Sequence, residues 1–229
     1  MTTAQIAISI KNRILEMFRG GKPPEYYYNL IQPADVLLVH GSGPNPADNF
    51  IGDGIIRFTG GVYSHSALVM TSGKDGSMTE AEIEGVMSAP LKKYFEPKPG
   101  QSYRLCIRRL VGIDNLTMLK VVADGKKRIG WKYAFMNLAA FAGFLAYGGA
   151  DSWREAVEKY REVFETDPNR DHMVICSEHC GLAFFNAGHP LRDDIIESKD
   201  NSCLSPDGKV SIARSPKMWT VAEFVIKGA

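Results

Sequence analysis

The chain has 229 residues, 45% of them hydrophobic and 23% charged, and its 27 basic and 26 acidic side chains leave a net charge of +1. A chain of this length buries a substantial core in a single domain, and so even a charge balance excludes the basic footprint of a nucleic-acid-binding protein. Four cysteines are too few for a disulfide framework at this size, which points to a reduced, cytoplasmic protein.

The opening segment, MTTAQIAISIKNRILEMFRGG, does not read as a signal peptide, because Lys11 and Arg13 interrupt its apolar run. Ile6, Ile10, Ile14, Met17 and Phe18 share one helical face, which predicts an amphipathic helix over residues 1–21 ended by Gly20 and Gly21. PPEYYYNLIQPAD reads as an extended lead-in to DVLLV (35–39), whose continuous apolar run predicts a buried strand. HGSGPNPADNF reads as a loop, and FIGDGIIRFTGG as a short helix or turn stopped by Gly60 and Gly61. Strands are expected over 63–71 and 78–86, joined by the turn SGKDGS, and over 102–110, where SYRLCIRRL alternates. Residues 114–129 predict a helix begun by Asp114 or Asn115, with GKKRIG as its solvated end.

WKYAFMNLAAFAGFLAYGGA, residues 131–150, is about as long as a membrane span and carries one charge, Lys132. Its many small residues and the charged DSWREAVEKYREVFE that follows favour a buried helical hairpin or pocket wall. Peripheral membrane contact through this segment is the second reading.

The chemistry concentrates in HMVICSEHCGLAFFNAGHP, residues 172–190. Cys180, Ala183, Phe184 and Ala187 recur at helical spacing, and Gly188 and Pro190 stop the helix. Cys176 therefore falls in the first turn, where the positive helix end favours a thiolate and free backbone N–H groups can hold an oxyanion. A lone cysteine is more often a small core residue, so this reading needs a base. His65 suits that role, because it opens a strand that can project it into a cleft on rigid support. His179 lies only three residues from Cys176, and His40, His172 and His189 fall in loop or turn settings. An imidazole base needs an acceptor to fix its tautomer, and Glu80, Glu82 and Glu84 all share the face of His65 if the SGKDGS turn closes the hairpin. Pairing puts Glu84 or Val86 most nearly opposite His65, with Glu80 further along, and does not choose among the three. A zinc site is the rival for the same residues: His172, Cys176 and Cys180 recur every fourth residue, with Cys203 as a fourth ligand.

Taken in order, DVLLV, YSHSALVM, TEAEIEGVMSAPL, GWKY and CSE resemble the circularly permuted papain-fold hydrolases of the NlpC-like superfamily. The resemblance implies a single α+β domain over 1–229. In it an antiparallel sheet packs on the nucleophile helix, and a helical insertion occupies approximately 134–170. It also implies roles: Cys176 as nucleophile, His65 as base and then acid, and Glu80, which begins the Glu-Ala pair, as the acceptor that orients the ring. Tyr133, in the Gly-x-x-Tyr position, would donate to the oxyanion. The sequence departs from the pattern at Ala134, where an Asp is usual, and in the long stretch between Tyr133 and Cys176. The expected activity is cleavage of a peptide or acyl-amino-acid amide through a thioester, with no cofactor. The alternatives are a thiol acyltransferase or lipid hydrolase on the same residues, or a catalytically silent binding module.

Overall fold

Val36, Leu37, Leu38 and Val39 are buried on both faces of the strand they form, which requires a sheet covered on two sides. In the computed structural model the described residues are 24–42, 46–134, 172–193, 195, 204–207 and 211–228, with Gly143 and Glu155. The expected helix at 1–21, nearly all of the 134–170 insertion and Cys203 lie outside them.

Six antiparallel strands build the sheet: β1 (Val36–Ser42), β2 (His65–Val69), β3 (Ser77–Glu82), β4 (Gly85–Pro90), β5 (Ser102–Leu110) and, last in the chain, β8 (Met218–Lys227). Their spatial order is β4-β3-β2-β1-β5-β8. Two short strands, β6 (Lys132–Tyr133) and β7 (Met173–Val174), pair in parallel beside it. Side chains alternate along each strand. One face carries Leu37, Val39, Ala67, Val69, Met78, Leu105 and Ile107, packed against α1 (Pro24–Tyr28) and α3 (Lys92–Phe95). The other carries Val36, Leu38, Leu68 and Met70, covered by α4 (Asn115–Lys127) and α5 (Cys176–Asn186). A further helix, α2 (Pro46–Thr59), connects β1 to β2. The expected α+β class is thus observed, with an antiparallel sheet against the Cys176 helix.

Local chemistry explains the helix ends that matter here. The Asp114 carboxylate accepts from the Thr117 N–H at 2.6 Å and starts α4. Gly125 lets α4 lie close to the sheet, because a Cβ there would come within 2.6 Å of Leu68 and 2.8 Å of Met70. Asp35, buried at the start of β1, is gripped by Arg109 through bonds of 2.7 and 2.8 Å, which ties β1 to β5.

Several expectations are corrected. The PPEYYY segment is helical rather than extended: proline suits a first helical position, and the turn lets Tyr27 stack on Phe224 and Tyr28 meet Phe95. Helix α2 begins at Pro46, inside the expected loop. The expected single strand over 78–86 is a hairpin, β3 and β4, turning at Ile83 and Glu84. Gly85 follows that turn at a φ of +117°, and a Cβ on it would lie 2.5 Å from the Trp131 carbonyl oxygen.

Candidate active site

The site forms where the first turn of α5 meets the leading end of β2. Ile175 is extended, and the first helical bond runs from the His179 N–H to the Ile175 carbonyl at 2.9 Å. The N–H groups of Cys176, Ser177 and Glu178 precede it and point out of the helix end. Glu178 reaches back to the Ile175 N–H at 3.4 Å. Tyr133 and Val174 pair just before this turn, and the Ala134 N–H bonds the Val174 carbonyl at 3.0 Å, so the β6–β7 ladder fixes how the chain enters α5.

Cys176 is buried, and burial raises a thiol pKa. Hydrogen bonds from the His65 ring and the Ser66 N–H, with the charge of the ring, more than offset this and bring it below the ordinary thiol value. His65 shows the reciprocal effect. Burial works against its charged form, but its hydrogen bonds to Cys176 and Glu80 raise it to about 10. Each group thus favours the charged form of the other. The His65 side chain keeps 20% of its exposure, so the ring edge still meets solvent.

The ring is held from behind by Glu80. His65 Nε2 donates to Glu80 Oε2 at 2.9 Å, which leaves Nδ1 to serve the sulfur. Glu80 is fully buried, and it accepts also from the Tyr94 hydroxyl at 2.6 Å and from Lys93 Nζ at 2.7 Å. Burial alone would raise this carboxyl; His65 and Lys93 outweigh it and hold it at about 2. The pairing Ala67↔Glu80, continued by two residues, brings Glu82 opposite His65. Glu84, expected to be most nearly opposite together with Val86, instead lies exposed in the β3–β4 turn. Both Glu80 and Glu82 ion-pair with Lys93, and of the two it is Glu80 that bonds the ring.

Tyr133 lies with Trp131 against the apolar cluster of Val86, Val174 and Cys176. Burial and the negative charges of Cys176 and Glu82 push its hydroxyl well above its ordinary pKa, so it remains a donor. The other histidines are engaged elsewhere. His179 Nε2 bonds Thr79 Oγ1 at 2.9 Å, His40 faces Ser64 at 3.4 Å, His189 meets Thr117 at 3.2 Å, and His172 packs edge-on to Trp131. His172, Cys176 and Cys180 do not converge as a metal-ligand group among the described residues. The group that does is His65, Glu80 and Glu82, with one ligand atom from each lying within 4.8 Å of the others. That group could hold a divalent cation, but the Lys93 ammonium already bonds both of its carboxylates.

Sequence reasoning missed Lys93 and Tyr94. Their only signal is KKYF, two residues beyond the strand pair that carries the glutamates. No helix among the described residues is long and apolar enough to cross a membrane.

No family model and no curated protein matches the chain. Among solved structures it is similar to the crystal structure of the metalloprotein YiiX from Escherichia coli O157:H7, a DUF1105 protein. The two are 17% identical with a TM-score of 0.52, over 84% of this chain and 97% of that one, a likeness of fold.

Proposed function

We propose that this chain is a cysteine hydrolase of permuted papain-like type, cleaving a peptide or acyl-amino-acid amide with Cys176, His65 and Glu80. The observation that carries the reading is one imidazole shared between a thiol at a helix N-terminus and a buried carboxylate. The chain order of histidine, glutamate and then cysteine agrees with the resemblance to the NlpC-like superfamily. A reducing, cytoplasmic setting suits a nucleophile that must stay a thiolate.

The Cys176 thiolate attacks the amide carbonyl carbon, and the charge moves to the carbonyl oxygen. Backbone N–H groups of the first helical turn and the Tyr133 hydroxyl are the donors that meet this oxyanion. The intermediate collapses as the C–N bond breaks, His65 gives its Nδ1 proton to the leaving nitrogen, and an amine departs from a thioester. Neutral His65 then takes a proton from water, the hydroxide adds to the thioester, and the acid leaves as thiolate and imidazolium return. Glu80 stays ionised throughout and stabilises the charged ring. If an amine or alcohol resolves the thioester in place of water, the same residues perform acyl transfer.

Two measurements test this. Iodoacetamide should alkylate Cys176 at pH 6 far faster than an ordinary thiol of pKa about 8.5. Acyl-amino-acid, short-peptide and phospholipid substrates should leave an acyl adduct on Cys176 alone by mass spectrometry. A Cys176 that labels like an ordinary thiol ends the reading.

The His65, Glu80 and Glu82 group supports a second reading, metal binding, as in the protein described as a metalloprotein. An ion there must displace Lys93 and would take the ring away from the sulfur. Stoichiometric metal in the purified protein, with Cys176 becoming reactive only after chelation, favours that reading over the first.

A further inference from the structure

One charged side chain behind His65 has no part in the bond-making steps. Lys93 reaches from α3 to donate to Glu80 Oε1 at 2.7 Å and to the Glu82 carboxylate. Among the described partners, Glu80 Oε2 receives both His65 and Tyr94, whereas Oε1 receives Lys93. The Lys93 side chain is 31% exposed and bridges to a carboxylate with no exposure of its own. We propose that Lys93 is a positioning residue that acts through Glu80, fixing the carboxylate toward His65 and filling the place among His65, Glu80 and Glu82 that a divalent cation would otherwise take. The proposal rests on the hydrolase reading of Cys176.

The geometry carries it in two ways. A carboxylate can turn about its last bond, and one oxygen held at 2.7 Å by a cation on a short helix stops that rotation while the other faces the ring. Among the described residues, Lys93 is also the side chain that bonds both Glu80 and Glu82, two carboxylates on one face of β3. Among the described residues, the charged and titratable groups facing Glu80 are His65 from β2, Glu82 from β3, Lys93 and Tyr94 from α3, and, further off, His179 and Cys180 from α5. Cys176 of α5 and Tyr133 of β6 lie beyond the ring. Without Lys93, three negative groups stand against one imidazolium. One carboxyl then takes up a proton or a metal ion. Either event loosens the ring from its acceptor and returns the sulfur toward the thiol. A tethered ammonium performs the neutralisation without occupying the ring nitrogen, which a bound metal ion would do.

The test compares the full chain with its Lys93→Met and Lys93→Arg variants. Cys176 alkylation by iodoacetamide is followed by mass spectrometry from pH 5 to 9, with and without zinc chloride, and zinc effects are reversed with EDTA. Lys93→Met should alkylate about tenfold more slowly at pH 6, with its midpoint raised by about one unit. Zinc should protect its Cys176 at concentrations at least roughly tenfold below those needed for the unaltered protein. Lys93→Arg, which keeps the charge, should stay within about threefold. A residue that merely packs would lower the melting temperature but leave midpoint and zinc sensitivity unchanged, and that result overturns the proposal. If Lys93→Met does not fold, Lys93→Gln serves, with the same direction expected and an unchanged profile again overturning it. If Cys176 of the unaltered protein already labels as an ordinary thiol, the hydrolase reading falls and takes this proposal with it. The two failures are told apart by which protein shows the ordinary profile.

Discussion

The tip and the body of α5 hold the same two kinds of side chain in opposite states. At the tip, Cys176 meets the His65 ring, and each favours the other's charged form. One turn further in, His179 and Cys180 are neutral: burial and the Arg128 charge depress His179 to about 3, and burial drives the Cys180 thiol upward. Cys176, His179 and Cys180 are all buried and His65 keeps 20% of its exposure, so the two cysteines differ in their shifts without differing in burial. At the tip each group supplies the other's counter-charge and Glu80 steadies the cation. In the body, the His179 ring bonds the neutral Thr79 hydroxyl, and the nearby Arg128 guanidinium and the more distant His65 outweigh the pull of Glu80. Burial silences a thiol, and a reciprocal partner reverses that effect.

The largest break in this contrast should come from Cys176→Ala. It is expected to lower turnover by at least about 10³-fold and to abolish thiol acylation, with the fold intact by circular dichroism. His65→Gln should come next. It removes the sulfur's counter-charge, and alkylation of Cys176 at pH 6 should fall on the order of 100-fold as its midpoint moves toward about 8.5.

Chemical denaturation across pH sharpens the comparison. The lowered Glu80 carboxyl contributes stability that is present above about pH 4.5 and lost as pH falls through about 2, an effect on the order of 3 kcal/mol. The raised His65 contributes stability that is complete below about pH 6.5 and lost as pH rises through about 10. The two share one hydrogen bond, so the effects do not add. His65→Gln should flatten both limbs.

In the helix body the expectation reverses. His179→Ala removes a buried ring and its bond to Thr79, and should cost about 2–3 kcal/mol of stability while leaving the labelling midpoint of Cys176 in place. Cys180→Ala is the smallest change, about 1 kcal/mol, with no effect on labelling. A shifted Cys176 midpoint in either variant would show that tip and body are coupled.

Elements whose signals are local were legible in the sequence. DVLLV, the SYRLCIRRL alternation, the Asp114 cap and the helix opening at Cys176 all rest on periodicity or a terminal side chain, and each is observed. The hairpin turn at Ile83 and Glu84 was hidden because neither residue is a customary turn former, so the alternating run passed as one strand. The helix at Pro24–Tyr28 depends on Phe95 and Phe224, far along the chain. In the site, the shared face of His65 with Glu80 and Glu82 followed from strand parity. Parity left the glutamates tied and the resemblance singled out Glu80; the donors that hold it come from α3, a four-residue helix with almost no periodic signal. Tertiary contacts decided what pattern could not.

Glu80 and the helix that anchors it lie upstream of Cys176, as does His65. During synthesis the ribosome therefore releases the ring and its acceptor before the sulfur, and the rest of the helix that carries the sulfur follows. On the proposed reading, a half-made or misfolded polypeptide carries only a quiet thiol, because the ring, its acceptor and the helix must dock before the sulfur is activated. A fluorescent alkylating dye would thus report maturation of the nascent protein, residue by residue, at a single atom.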